Sequence, residues 1–362
     1  MNRRWVCNDV WMDIFPLFDR PQLGLKMALI SPRFEALVDK HFEGKSELTL
    51  WKHIKIREDN NGSAEAEIFV GVKPIGFPLP DRPLPDKIRF ESLHIVYIDH
   101  SVLAFLRANK RIFDKSGTKL ELFIENVPST WDVFVHEIFL PVFSTNIHHL
   151  IFPGGDHLDN LRRLSSPTIL TDIDQLNVID SDILFPDGIA DDAPNASAGQ
   201  ALCKWLYTPR SDGQPKQLFC RFTGASEARQ LVNNCKKAFV RATTSVAYNI
   251  RLRISLIFPT QIFEPFELEN EATQEMLTLQ KRSNFGNFSS WVMKRCQFVE
   301  ETAAAAAVVV QQQKNEALYT LNGVNFNLFK NCIGPLSLAS DQSDGKVFSS
   351  LAGPSDQRKK KK

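Results

Sequence analysis

The chain has 362 residues, 43% of them apolar and 23% charged, with a net charge of +1 at neutral pH. That balance describes a folded protein of two or three domains. It argues against a nucleic-acid or anionic-membrane partner held by a whole-surface field.

Six cysteines are scattered along the chain (Cys7, Cys203, Cys220, Cys235, Cys296 and Cys332). They form no close pair, so neither a zinc knuckle nor a disulfide scaffold is indicated, and a cytoplasmic or nuclear setting is expected. Arg3-Arg4 are followed by Asp9 and Asp13 rather than by an apolar core, so no signal peptide is read there. No run reaches the ~20 apolar residues of a membrane span.

The first elements are three short helices. Asn8 is placed to cap the first, and Val10, Trp11, Ile14, Phe15 and Phe18 form its apolar stripe. Asp19 and Pro21 restart the chain, and Leu23, Met27 and Ile30 mark the buried face of the second. Ser31-Pro32 is a cap followed by proline at the first helical position. The third helix carries Phe34, Leu37 and Val38. A chain of ~40 residues rarely folds on its own core, so such a module is expected to cover its spare apolar face with a partner.

Asp9-Val10-Trp11-Met12-Asp13-Ile14-Phe15 and Ile30-Ser31-Pro32-Arg33-Phe34 resemble the F-box, the three-helix motif that docks on the Skp-type adaptor of SCF-type cullin–RING ubiquitin ligases. Val6-Cys7 stands where the family usually has Leu-Pro, and Pro32 where it has a basic residue. The resemblance implies adaptor binding through Val10, Trp11, Ile14, Phe15, Leu23, Ile30 and Phe34.

Beyond it, Leu48–Ile56 alternates as a strand, and five prolines between Lys73 and Asp86 predict an extended loop. A Leu-x-apolar pattern recurs at Leu93-His94-Ile95, Leu120-Glu121-Leu122, Leu150-Ile151-Phe152 and Leu176-Asn177-Val178, in steps of 27, 30 and 26 residues. Helices are expected between these strands: one capped by Ser101, over Val102–Phe113; one capped by Ser129 or Thr130, over Trp131–Phe143; and one carrying Leu158, Leu161 and Leu164. Strand-plus-helix units at this spacing resemble an irregular leucine-rich-repeat array, which leaves one strand face open. Glu91, His94, Glu121 and Asn177 are expected on or near that face. A conventional α/β domain of similar spacing is the alternative.

Asp187–Gly199 is rich in loop formers and predicts a weak linker. A helix is expected over Gln200–Leu206 and another over Glu227–Val240. Strands are expected over Leu218–Phe222, Ile250–Phe258, Phe266–Glu269 and Leu277–Lys281. The segments Arg89–Leu106, Gln200–Cys220 and Pro265–Arg295 resemble the body of a large nematode-type family of F-box proteins. In that family Lys-Trp-Leu-x-Thr-Pro-Arg-x-Asp-Gly-x-Pro-Lys recurs, here Lys204–Lys216. From Glu301 the chain turns to runs of Ala, Val and Gln, then to a Ser/Asp/Gly-rich stretch ending in lysines, which predicts a disordered tail.

The sequence carries few catalytic signatures. No Gly-x-Ser-x-Gly elbow, Walker loop or dinucleotide glycine pattern occurs. Pro153-Gly154-Gly155 reads as a turn. Adjacent His148 and His149 are expected on opposite sides of a strand, which disfavours a shared metal. Asp172 with Asp174, and Asp180 with Asp182, read as caps and turns. The expectation is an α/β protein: an N-terminal F-box (6–44), a leucine-rich-repeat-like region (45–186), an α+β target-recognition region (200–298) and a tail (301–362). It would be a non-catalytic ligase subunit with no cofactor, joining the adaptor, and through it a cullin, to an unknown protein target. The alternative is a repeat-type interaction scaffold with no ligase link.

Overall fold

The computed structural model describes residues 6–18, 23–43, 49–70, 73–80, 83–84, 88–114, 117–182, 184–255, 262–285 and 288–298. The expected tail, the restart at Asp19 and Pro21, and Cys332 lie outside the described residues. No described helix is long and apolar enough to cross a membrane.

The N-terminal segment opens with α1 (Asn8–Ile14) and a 3-10 turn over Phe15–Leu17. A π-turn over Leu23–Met27 and a 3-10 turn over Ala28–Ile30 follow, then α2 (Pro32–Glu43). Its apolar residues close on themselves: Phe15, Leu23, Ala28, Leu37, Val38 and Phe42 form a small core separate from the main one. Among the described residues of this segment, Leu29 packs against the main core. The Ser31 hydroxyl accepts from the Phe34 amide at 3.3 Å and caps α2 as its sequence implies. The cap of α1 is Cys7, not Asn8, and makes no side-chain cap bond. Asn8 is otherwise engaged, since its amide oxygen accepts from Arg33 Nε at 3.0 Å and Nη2 at 2.7 Å.

The body is one mixed sheet of twelve described strands, in the order β10-β11-β12-β9-β8-β7-β6-β5-β4-β1-β2-β3. β1 (Thr49–Glu58), β2 (Ala64–Val70) and β3 (Lys73–Pro78) form an antiparallel edge. Then β4 (Ile88–Ile95), β5 (Thr118–Leu122), β6 (Ile147–Phe152), β7 (Val178–Ser181), β8 (Lys216–Phe222) and β9 (Tyr248–Ser255) run parallel to one another in sequence order. β10 (Phe266–Asn270), β11 (Glu275–Phe285) and β12 (Phe288–Gln297) close the other edge antiparallel.

The strand order never reverses along β4–β9. Right-handed crossovers in an unreversed order put every connecting helix on the same face. Burial agrees. Ile54, Leu93, Leu120, Leu150, Ile179, Leu218 and Ile250 are register partners from strand to strand, and all are fully buried. Their alternate neighbours on β5 and β9 are only half-buried. Helices α3 (His100–Ala108) and α4 (Lys110–Asp114) follow β4. α5 (Pro128–Val133), which widens into a π-helix over Phe134–Phe143, follows β5. α6 (Gly155–Leu164) and α7 (Ile169–Asp172) follow β6, α8 (Ala198–Tyr207) follows β7 and α9 (Ala225–Val240) follows β8.

Several local expectations need correction. The cap of α3 is Asp99, whose carboxylate accepts from the Ser101 and Val102 amides, not Ser101. α5 starts behind Val127 with no side-chain cap, rather than behind Ser129 or Thr130. The proline-rich loop contains β3, and its Pro74 and Pro78 are tolerated because the strand is an edge. The fourth Leu-x-apolar match sits ahead of its strand: the register partner of Leu150 is Ile179, and Leu176 lies in the preceding turn. The boundary expected between 186 and 200 does not interrupt the sheet, since β7 and β8 pair directly across it.

The Lys204–Lys216 motif closes the turn from α8 into β8. Trp205 is buried and donates its indole N–H to the Leu176 carbonyl at 3.2 Å. Lys216 reaches back to the Trp205 carbonyl at 2.5 Å. Asp212 pairs with Arg210, and Gly213 supplies a φ of +69° that a side chain would resist.

Candidate functional site

Two surfaces stand out, one on each part of the fold. The first is the outside of the N-terminal segment. Phe15 and Leu23 are sealed in its small core, at 0% and 1% exposure, so two of the seven residues implied for adaptor binding form the module rather than its surface. Trp11, Ile14 and Phe34 are half-buried, with the Trp11 and Phe34 rings edge-to-face at 4.9 Å. Val10 and Ile30 are open, at 45% and 61% exposure. Ile30 and Phe18 therefore do not lie on buried faces. Leu17, at 82%, is exposed as well and was not singled out by periodicity, because Pro16 breaks the helical pattern just before it. Arg33 fixes the relation of the two helices, donating to the Val6 carbonyl at 2.6 Å as well as to Asn8.

The second surface is the sheet face opposite the aliphatic row. Register places Lys55, His94, Glu121, Ile151, Asp180, Phe219 and Arg251 side by side across seven strands. His94 and Glu121 meet at 3.9 Å, and Lys119 holds the same carboxylate at 2.9 Å. Burial pushes the His94 imidazole down to about 4, with Glu121 opposing, so His94 is neutral at pH 7. Burial also lifts the Asp180 carboxyl to about 6, against the pull of Arg221. Arg221 donates to Asp180 at 3.1 Å and also to Asp182. These two aspartates are thus charge partners of a neighbouring strand, not the caps or turns expected from their spacing.

His148 and His149 also depart from expectation. Thr118 and Lys119 are consecutive on β5 but pair with Ile147 and His149, leaving His148 as an extra residue of a bulge. The bulge breaks the alternation, and the two rings lie 6.4 Å apart. His149 stacks on Phe219 at 6.5 Å, and Arg251 lies over the same Phe219 at 4.7 Å. Of the residues expected on this face, His94 and Glu121 are there. Asn177 lies just ahead of β7, and Glu91 acts on His148 by its charge. Buried atoms with no hydrogen-bond partner cluster here too: His94 Nε2, His149 Nε2, Asn177 Oδ1 and Asp180 Oδ1.

Among the described residues, no group of three His, Cys, Asp or Glu side chains could hold a metal ion. Burial pushes the Cys203 and Cys235 thiols up to about 12, so neither is a ready thiolate. No protein-family model, curated protein or solved structure matches this chain.

Proposed function

We propose that the chain is a substrate-recognition subunit of an SCF-type cullin–RING ubiquitin ligase. Its N-terminal helices dock on the Skp-type adaptor, and its body recruits a protein target. The observation that carries this reading is the double character of residues 6–43. They close a core of their own and still leave Val10, Leu17, Phe18 and Ile30 exposed. Exposed apolar side chains that a partner can cover are the usual anchors of an interface. Covering each contributes ~1.5–3 kcal/mol at most. The resemblance of Asp9–Phe15 and Ile30–Phe34 to the F-box names the partner.

The unreversed order of β4–β9 supports the second half of the reading. It suits an irregular leucine-rich-repeat-like body, whose open strand face is available for a target. Such a subunit acts by tethering, which raises the effective concentration of a target lysine near the charged conjugating enzyme.

Because Phe15 is core, the test belongs on the exposed residues. Val10→Glu combined with Ile30→Glu is expected to abolish co-purification with the adaptor while leaving the far-ultraviolet circular dichroism unchanged. Retained adaptor binding would leave the interaction scaffold without a ligase link as the reading of this chain.

A further inference from the structure

On the sheet face away from the helices, β8, β9 and β12 carry a concentration of cationic side chains. Arg221 on β8 is the direct register partner of Arg253 on β9. Arg251 precedes Arg253 by two residues, and therefore shares its face. Lys294 on β12 pairs with Asn249 of β9, and alternation puts it on that face as well. Like charges directly opposite one another on neighbouring strands are destabilising. Burial and Arg221 both push the Arg253 guanidinium pKa down, and Asp180 offsets this only in part.

The aromatic neighbours of these arginines are also specific. Arg251 lies over the Phe219 ring at 4.7 Å and Arg253 over the Phe288 ring at 4.3 Å. A guanidinium held against a ring loses less freedom when it meets a carboxylate, and its fork matches that group in two-point fashion. On the β7 side Asp180 and Asp182 border the patch through Arg221. A continuous phosphate backbone would meet these carboxylates at close range, whereas a peptide carries its own carboxylates only at separate positions and can leave the stretch beside Asp180 and Asp182 uncharged.

We propose that this face of β8, β9 and β12 binds an extended acidic segment of the target protein. Carboxylates two residues apart, which share one face of an extended segment, meet Arg251 and Arg253. In an extended peptide, side chains two apart repeat every ~7 Å, as do Arg251 and Arg253 on their own strand. The proposal deepens the target-recruiting half of the reading above and does not involve the adaptor surface.

The test is fluorescence anisotropy with the full chain and three labelled probes: a peptide of alternating Glu and Leu, its counterpart of alternating Lys and Leu, and a single-stranded RNA. The Glu–Leu peptide is expected to bind in a salt-sensitive manner, and the other two to bind at least tenfold more weakly. Arg251→Glu with Arg253→Glu is expected to weaken the Glu–Leu peptide at least tenfold, while Lys237→Glu, on the exposed side of α9, leaves it unchanged. Arg253→Gln separates lost contact from lost fold: it should weaken the peptide without lowering the unfolding temperature. Absence of Glu–Leu binding, equal affinity in the arginine variants, or tighter RNA binding would overturn the assignment. Adaptor co-purification of the same variants is expected to be intact, so that either half of the functional reading can fail without the other.

Discussion

Phe15 and Val10 lie on the same stretch of chain, yet one is fully buried and the other is 45% exposed. Periodicity marks both as apolar-stripe residues, because it reports which side chains share a face and not what covers that face. Only the arrival of α2 decides the matter, setting Phe15 against His41 at 5.8 Å while Val10 stays open. The same limit applies to charge. Asp180 and Asp182 look like turn residues in sequence because their partner, Arg221, is some forty residues away and arrives only when β8 pairs with β7.

At this scale His94 makes a pH prediction. Its folded pKa is about 4, against 6.5 unfolded. Between those values the unfolded chain binds a proton that the folded chain does not. Its contribution is therefore fully present above pH 6.5 and is lost as pH falls toward 4. The gap corresponds to about 3 kcal/mol. Asp180 works the other way. Its raised pKa, about 6, lets the folded chain hold a proton first, which favours folding at lower pH. Thermal unfolding of the parent chain and of His94→Gln at pH 7 and pH 4.5 separates the two. The parent should lose more stability on acidification than the variant, and equal losses would remove His94 as the cause.

At the scale of elements, the strands were the legible part. Leu93, Leu120 and Leu150, found by a spacing of about one repeat, are register partners in one buried row. The pattern failed at Leu176 because the turn before β7 buries a leucine too, under the Trp205 indole. It also stopped short of β8 and β9, whose row residues Leu218 and Ile250 continue it, because the long connection through α8 between Ile179 and Leu218 breaks the spacing. β2 and β12 were not anticipated: Ala64–Val70 lies in a polar, acidic stretch, and Phe288–Gln297 mixes both patterns.

The closing hairpin carries its own prediction. Arg295 and Glu275 are both buried and joined at 2.6 Å. Arg295 also donates to the Thr244 carbonyl at 2.8 Å, and Glu275 accepts from the Val246 amide at 2.7 Å. This links β11 and β12 to the turn ahead of β9. Removing one charge leaves the other buried without compensation. Glu275→Gln should therefore cost ~3–5 kcal/mol in urea unfolding. A loss near zero would mean that the pair is not desolvated in solution.

For the whole molecule, what matters is the separation of two cores. The N-terminal segment closes around Phe15, Leu23, Leu37 and Phe42, and the sheet closes around its own aliphatic row, with Leu29 packing across. A chain beginning at residue 49 should then keep a cooperative unfolding transition and the circular dichroism of the sheet. Loss of cooperativity would show that the sheet depends on the helices. The composition and the Leu-x-apolar spacing made the α/β class legible, and the resemblance supplied a role for the first helices. Neither could show that β4–β9 form one unbroken sheet, because that depends on register between segments far apart in sequence.

The most direct measurement is the affinity of the purified chain for a recombinant Skp-type adaptor, with and without Val10→Glu plus Ile30→Glu. A docking module predicts tight, stoichiometric binding by the parent chain. It predicts a loss of at least a hundredfold in the variant (about 2.7 kcal/mol), with an unchanged unfolding transition. No binding by the parent chain, or equal binding by a variant that remains folded, would contradict it.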